Sequence, residues 1–379
     1  LLVKELRTRL ECEVFGLAGQ RSEEAGVETV VSLDEVSVIG LVEVVSKLPS
    51  LHRAMTKLVE EARARQPAAA VLVDFSGFNL RLARRLKADG IPVIYYVSPQ
   101  VWAWRRGRVR AIRESVDEML VILPFEKAFY EEHGVRARYV GHPLVDLTGE
   151  TMDRDRDRDR ESFLRGLGLD LAPDRPLVSV LPGSRRKEVE LHMPVLRSAI
   201  ERLARSKPEL QFVVSRAQTV SPELLRASLG ETLDRFDVRV FTGEVRSALS
   251  HSSVAIVASG TATVEAALSE TPMVVVYRIG KASYRLGKPF VHVPHYSMVN
   301  LIAERALVPE LIQDEMTPET IARATMELLD DDAARDAMRR GLREVRERLG
   351  GGGASSRAAD AVCDFLQKDR APSLQSSLL

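Results

Sequence analysis

The sequence predicts an α/β protein built from two successive doubly wound domains. Three observations carry that expectation. Short apolar, β-branched runs recur along the chain, each followed by turn residues and then a stretch of helical spacing. The alternation runs once through the first half and again through the second, and alternation of this kind builds parallel sheets covered on both faces. A chain of 379 residues fits two domains of about 100–200 residues each.

In chain order, strands are expected near 13–17, 28–31, 69–74, 92–97, 117–122 and 137–140. A second set is expected near 177–181, 211–215, 237–241, 253–257, 272–276 and 290–293. Helices are expected at 51–65, 78–88, 108–115, 125–133, 192–206, 221–229, 261–269 and 317–329. Leu1 to Leu10 has helical spacing from its first residue; a domain rarely opens in mid-helix without a cap, so further residues are expected upstream. The first domain is expected over 1–150, and TMDRDRDRDRES at 151–162, where alternating charge offers no apolar face, reads as a solvated linker. The second domain is expected over 163–349. Residues 350–379 read as a glycine-rich break, a last helix over 357–369 and a tail.

Composition narrows the function. Lysine plus arginine balance aspartate plus glutamate at 54 each, so no global field favours nucleic acid. Cys12 and Cys363 are the only cysteines, too few for a zinc cluster or disulfide framework and consistent with a reducing cytoplasm. No apolar run approaches the about 18 residues of a spanning helix, and no basic-then-apolar leader is present.

In open parallel sheets, ligands bind beyond the carboxyl ends of strands, so the residues after each strand are the candidates. Asp74 ends AAAVLVD and suits a general base, if burial or a neighbouring charge raises its pKa; a helix N-cap is the plainer role. Ser184 and Arg185 lie in PGSRRKE after LVSVL, where free backbone N–H groups and cations suit phosphate oxygens; a basic exposed helix start is the alternative. Gly260, Thr261 and Ala262 open a helix after SVAIVA, and Glu265, one turn in, is placed to accept from ribose hydroxyls or simply to complement the dipole. Arg278 follows PMVVV, while Asn300 and Gln313 lie in later loops, where amides contact sugar or base or else serve turns. Trp102 and Trp104 beside Arg105 and Arg106 suit a sugar or lipid phosphate as well as ordinary packing. In 36–48, Val38, Leu41, Val42, Val45 and Leu48 form an apolar stripe, either core or a face for a bilayer or acyl chains.

The segments VFGLAG, SVIGLVEVVSKL, DFSGFN, YYVSPQVWAWR, LPFEKAFYEEHGV, VGHPLVD, LPGSRRKEV, ASGTATVEAAL, PMVVVYRIG and NLIAE occur in one order from about residue 14 to 314. In that order they resemble the lipid-A-disaccharide synthases. The resemblance implies two Rossmann-like domains of the B-type glycosyltransferase architecture, an acceptor- and lipid-side first domain and a UDP-sugar-binding second one. It implies transfer of 2,3-diacylglucosamine from its UDP derivative to 2,3-diacylglucosamine 1-phosphate. The products would be the β(1→6) disaccharide of lipid A and UDP, with inversion and no metal or other cofactor. It also implies a cytoplasmic protein held peripherally at the inner membrane, and allows a homodimer.

Carried onto this chain, the resemblance implies Asp74 as general base and Arg185 as a residue required for activity. Gly260, Thr261, Ala262 and Glu265 would form the UDP-binding turn, Arg278 and Asn300 would line the donor side, and 38–48 would touch membrane and acyl chains. The family also begins with a strand and a GE-x-SGD loop ahead of the helix that opens here at Leu1, so both are expected to be missing. The alternatives are a UDP-binding protein impaired in catalysis by the loss of that loop, and a related UDP-N-acetylglucosamine 2-epimerase or peptidoglycan transferase. YYVSPQVWAWR and the apolar stripe disfavour the last two.

Overall fold

The computed structural model describes residues 1–36, 48–103, 107–147, 160–167, 175–291 and 293–375. It separates into two compact units: Leu1–Asp146 with Leu349–Leu379, and Leu147–Arg348. The linker expected at 151–162 lies mostly outside the described residues, as do Val38, Leu41, Val42 and Val45; Leu48 begins the helix Leu48–Arg65.

The first unit holds six strands: β1 (Phe15–Ala18), β2 (Glu28–Ser32), β3 (Ala70–Val73), β4 (Val93–Tyr96), β5 (Glu118–Val121) and β6 (Ala137–Tyr139). Strands β1 and β2 pair only with each other, and β3-β4-β5-β6 form a second parallel sheet in chain order. Each pair of successive strands is bridged by a helix, as parallel pairing requires. Strands β4 and β5 are buried on both faces. Tyr95, Met119 and Val121 face a core with Leu82, Leu86 and Ile112. Ile94, Tyr96 and Leu120 face another, closed by Ala358, Val362 and Phe365.

That second face explains the C-terminal helix. It runs Ala354–Gln375, longer than the 357–369 read from its apolar stripe, and it belongs to the first unit. Asp146 starts it: its carboxylate accepts from the N–H groups of Gly353 (2.6 Å), Ala354 (2.9 Å) and Ser355 (2.8 Å). A carboxylate there satisfies donors that a helix start otherwise leaves unpaired.

The second unit holds β7 (Leu177–Leu181), β8 (Gln211–Ser215), β9 (Val238–Phe241), β10 (Val254–Ala258), β11 (Met273–Tyr277) and β12 (Glu310–Ile312). All pair in parallel in the order β12-β11-β10-β7-β8-β9. Three strands are wholly buried and one more nearly so, matching their continuous apolar runs. The strand expected at 290–293 is a correction. Residues 288–290 form a 3₁₀ turn, and the sixth strand is Glu310–Ile312, paired with Val275–Tyr277. Pro289 and Pro294 bracket the apolar VHV run and cannot donate to a ladder.

Candidate functional site

The chain order through the second sheet reverses between β7 and β10. From β7 it moves outward to β8 and β9; from β10 it moves the other way to β11 and β12. Neighbouring loops part at such a switch point and leave a crevice beyond the carboxyl ends of the strands. The turns after β7 and β10 flank it, and the turn after β11 lies next along the edge. Ser184, Arg185, Gly260, Thr261, Ala262, Glu265 and Arg278 therefore sit on one edge of one sheet.

At the turn after β10, Gly260 has φ 149° and ψ −158°, a conformation that favours glycine. A Cβ there would meet nothing within 4 Å, so the backbone geometry, rather than crowding, calls for the glycine. The helix Thr261–Leu268 has no side-chain cap. Thr263 turns inward, its hydroxyl donating to Gly260 O (2.7 Å) and its N–H to the same oxygen (3.1 Å). The N–H groups of Thr261 and Ala262 are left at an open, electropositive helix start. Glu265 is half-buried, and no hydrogen bond of its side chain is found among the described residues. Burial pushes its pKa up, Arg246 pulls it down and Glu244 adds to the rise.

The turn after β7 is arranged differently. Gly183 has φ 116°, and a Cβ on it would lie 2.7 Å from Glu188 Oε2. Glu188 folds back to accept from Ser184 N (3.1 Å) and Arg185 N (3.2 Å), and from Arg185 Nη1 (2.9 Å). The anion cradle read from PGSRRKE is thus filled by the protein's own carboxylate. An incoming phosphate competes with Glu188 for these donors, while the exposed Arg185 guanidinium is free to turn toward it.

Three further residues have donor groups directed into the protein. Arg278 donates to Gln313 O (3.0 and 3.3 Å) and to Met316 O. With its amide oriented to satisfy both groups, Gln313 donates to Ile279 O (3.1 Å) and accepts from Ile279 N (2.9 Å). Asn300, 1% exposed, donates to Val308 O (2.9 Å) and Glu310 Oε1 (2.8 Å) and accepts from Leu307 N (2.8 Å) and Val308 N (2.9 Å). All four of its amide positions are thereby used. These groups brace the loops behind the switch-point edge.

Sequence reasoning missed His192. It is fully buried; its Nδ1 lies 2.7 Å from Pro182 O, and its Nε2 lies 3.0 Å from Arg278 O and 2.9 Å from Arg278 N. Burial lowers its pKa, while the contacts with the Pro182 and Arg278 carbonyls oppose the shift. One imidazole thus joins the turn after β7 to the turn after β11.

In the first unit, Asp74 and Phe75 follow β3 with φ 47° and 42°, two consecutive left-handed residues that are not glycine. The strain is held from below. Tyr95 Oη donates to Asp74 O (2.5 Å), and Asn79 Nδ2 donates to Asp74 O (2.9 Å) and Val73 O (3.0 Å). The Asp74 carboxylate is left exposed rather than buried, with no side-chain partner among the described residues.

The neighbouring loop after β4 begins with Val97 at φ 63°, an outlier for a β-branched residue. Glu126, 1% exposed, anchors it by accepting from Ser98 Oγ (2.6 Å) and Trp102 Nε1 (3.0 Å), and from Leu123 N (2.9 Å) and Ile122 N (3.2 Å). Burial pushes the Glu126 pKa up; these four donors oppose it. Trp102 is 5% exposed and meets Phe125 edge-on, so packing is its role; Trp104, Arg105 and Arg106 lie outside the described residues. The described residues contain no cluster suited to a metal ion and no helix long and apolar enough to cross a membrane.

The fold is shared with solved sugar-nucleotide proteins. A UDP-GlcNAc 2-epimerase from Neisseria meningitidis bound to UDP-GlcNAc matches at TM-score 0.66 and 11% identity, covering 93% of this chain and all of the other. A UGT transferase from Siraitia grosvenorii in complex with UDP matches at TM-score 0.58 and 14% identity, covering 97% of both chains. At such identities only the fold is shared. Sequence relatives are nearer. The lipid-A-disaccharide synthase of Solibacter usitatus is 43% identical over 369 residues, 97% of this chain and 93% of its own. That of Myxococcus xanthus is 43% identical over 375 residues, 97% and 94%. The model of the lipid-A-disaccharide synthetase family matches residues 1–362, and the chain belongs to that family.

Proposed function

We propose that the chain is a glycosyltransferase forming the lipid A disaccharide, moving 2,3-diacylglucosamine from UDP to the 6-hydroxyl of 2,3-diacylglucosamine 1-phosphate. Family membership over residues 1–362 carries the reaction class. The uncapped helix start at Gly260, at the switch point of the second sheet, supports a diphosphate there.

The chemistry divides between the units. In a single inverting displacement, the acceptor oxygen attacks the anomeric carbon, the bond to UDP breaks, and the acceptor proton leaves. Asp74, exposed on a braced, strained turn, takes that proton. On the leaving side, the N–H groups of Thr261 and Ala262 receive the growing negative charge, and Arg185 supplies a mobile cation. Glu265 accepts from the ribose hydroxyls. Arg278, Gln313 and Asn300 act on the donor side by holding the loops rather than by direct contact. The same reading includes a peripheral membrane position at the inner face, with 38–48 as a lipid contact, no metal requirement, and a homodimer as the assembly to test.

The test is UDP release by the purified chain. Release is expected only when both acylated sugars are present, at a rate unchanged by a chelator. UDP binding without turnover on protein carrying the family's N-terminal segment contradicts the reading. Turnover of non-acylated UDP-N-acetylglucosamine does so equally.

A further inference from the structure

Just beyond β11, over Lys281–Phe290, the chain leaves the core. The helix Lys281–Gly287 and the turn Lys288–Phe290 contain no buried residue. Leu286 is 75% exposed and Phe290 61%, the two most exposed large apolar side chains among the described residues. An isolated exposed apolar side chain means little, but Leu286 and Phe290 lie four residues apart on an element with no buried residue and call for an occupant.

The charge around them says which occupant. Between Glu270 and Glu304 the sequence has no acidic residue but carries Arg278, Lys281, Arg285 and Lys288. In a chain with 54 residues of each sign, that separation is unusual. Lys281, Arg285 and Lys288 form no ion pair among the described residues. Lys288 lies over the Tyr284 ring at 5.7 Å. Apolar side chains ringed by unpaired cations suit an anionic lipid surface, where the apolar groups enter the acyl boundary and the cations stay among the headgroups.

We propose that Lys281–Phe290 is a lipid-docking element of the second unit, seated on anionic phospholipid. It begins three residues after Arg278, beside the switch-point edge. Docking there brings the nucleotide-sugar edge to the surface in which an acylated sugar is dissolved. It is separate in sequence from residues 38–48 and does not depend on them.

Flotation of the full chain with vesicles is the test. Phosphatidylethanolamine–phosphatidylglycerol vesicles should bind it, and phosphatidylcholine vesicles should bind it far more weakly. Leu286→Ser with Phe290→Ser should weaken binding about tenfold or more. Lys281→Gln, Arg285→Gln and Lys288→Gln should each weaken it about fivefold at low salt, with little effect at high salt. Melting should be unchanged in every variant, because nothing buried is altered. Undiminished binding by the Leu286/Phe290 variant overturns the proposal, as does a lowered melting temperature. A change in oligomeric mass without loss of vesicle binding also overturns it and points instead to a second copy of the chain. Serine at Val38, Leu41, Val42 and Val45 tests the other element separately; loss there alone removes this proposal and leaves that one standing.

Discussion

Glu126 shows how a single side chain can hold a loop. Its carboxylate gathers the Ser98 hydroxyl, the Trp102 indole and two backbone N–H groups inside the first unit. Glu126→Ala leaves four donors, three of them in buried bonds, without an acceptor, at about 1–3 kcal/mol for each one not rescued by water. Denaturant unfolding should therefore show a loss of about 3 kcal/mol or more, with Glu126→Gln intermediate. His142 gives a pH signature. It is buried, and desolvation lowers its pKa to about 4, whereas an unfolded histidine titrates near about 6.5. The unfolded chain then binds the extra proton first, so the stabilisation is complete above about pH 6.5 and is lost as pH falls toward 4. His192, lowered in the same direction, adds to the slope. Urea unfolding between those values should show stability falling by a few kcal/mol, less steeply in His142→Gln; a flat profile contradicts the assignment.

At the scale of elements, the C-terminal helix depends on Asp146. Burial alone would raise that carboxyl's pKa, but the N–H groups of Ser355, Ala354 and Gly353 outweigh it and bring the pKa below the ordinary value. The contribution is present above the unfolded pKa and is lost as pH falls through the lower folded one. Asp146→Ala should cost about 1–2 kcal/mol and raise hydrogen exchange first in Ala354–Gln375. No sequence pattern linked these segments, because Asp146 and Gly353 are more than two hundred residues apart. The strands and long helices were legible, since continuous apolar runs and helical spacing report burial directly. The last strand was not: three half-buried residues at 310–312 leave little pattern, while VHV at 291–293 imitates one. In the site, the strand-to-helix turns at Asp74, Gly183 and Gly260 were legible because ligands gather at strand ends and glycine marks special backbone. The hydrogen-bond partners of Asn300, Gln313 and Arg278 were not. A loop amide reads the same in sequence whether it meets a sugar or a backbone carbonyl, and only the hydrogen-bond partners distinguish the two.

For the whole molecule, the proposed reaction asks different chemistry of each unit. The second unit supplies an open helix start at a switch point, suited to charge on a leaving diphosphate. The first supplies an exposed carboxylate on a turn strained at two successive residues and braced by Tyr95 and Asn79. The two tasks should therefore separate on mutation. Glu265→Gln should weaken UDP binding by about tenfold while leaving proton transfer intact, an effect expected mainly in KM. The most direct measurement compares Asp74→Asn with the unaltered chain for turnover of both acylated sugars and for UDP affinity by calorimetry. A base on the acceptor side predicts kcat lower by about 10²–10⁴-fold with the Kd for UDP unchanged. Turnover that survives the substitution contradicts it.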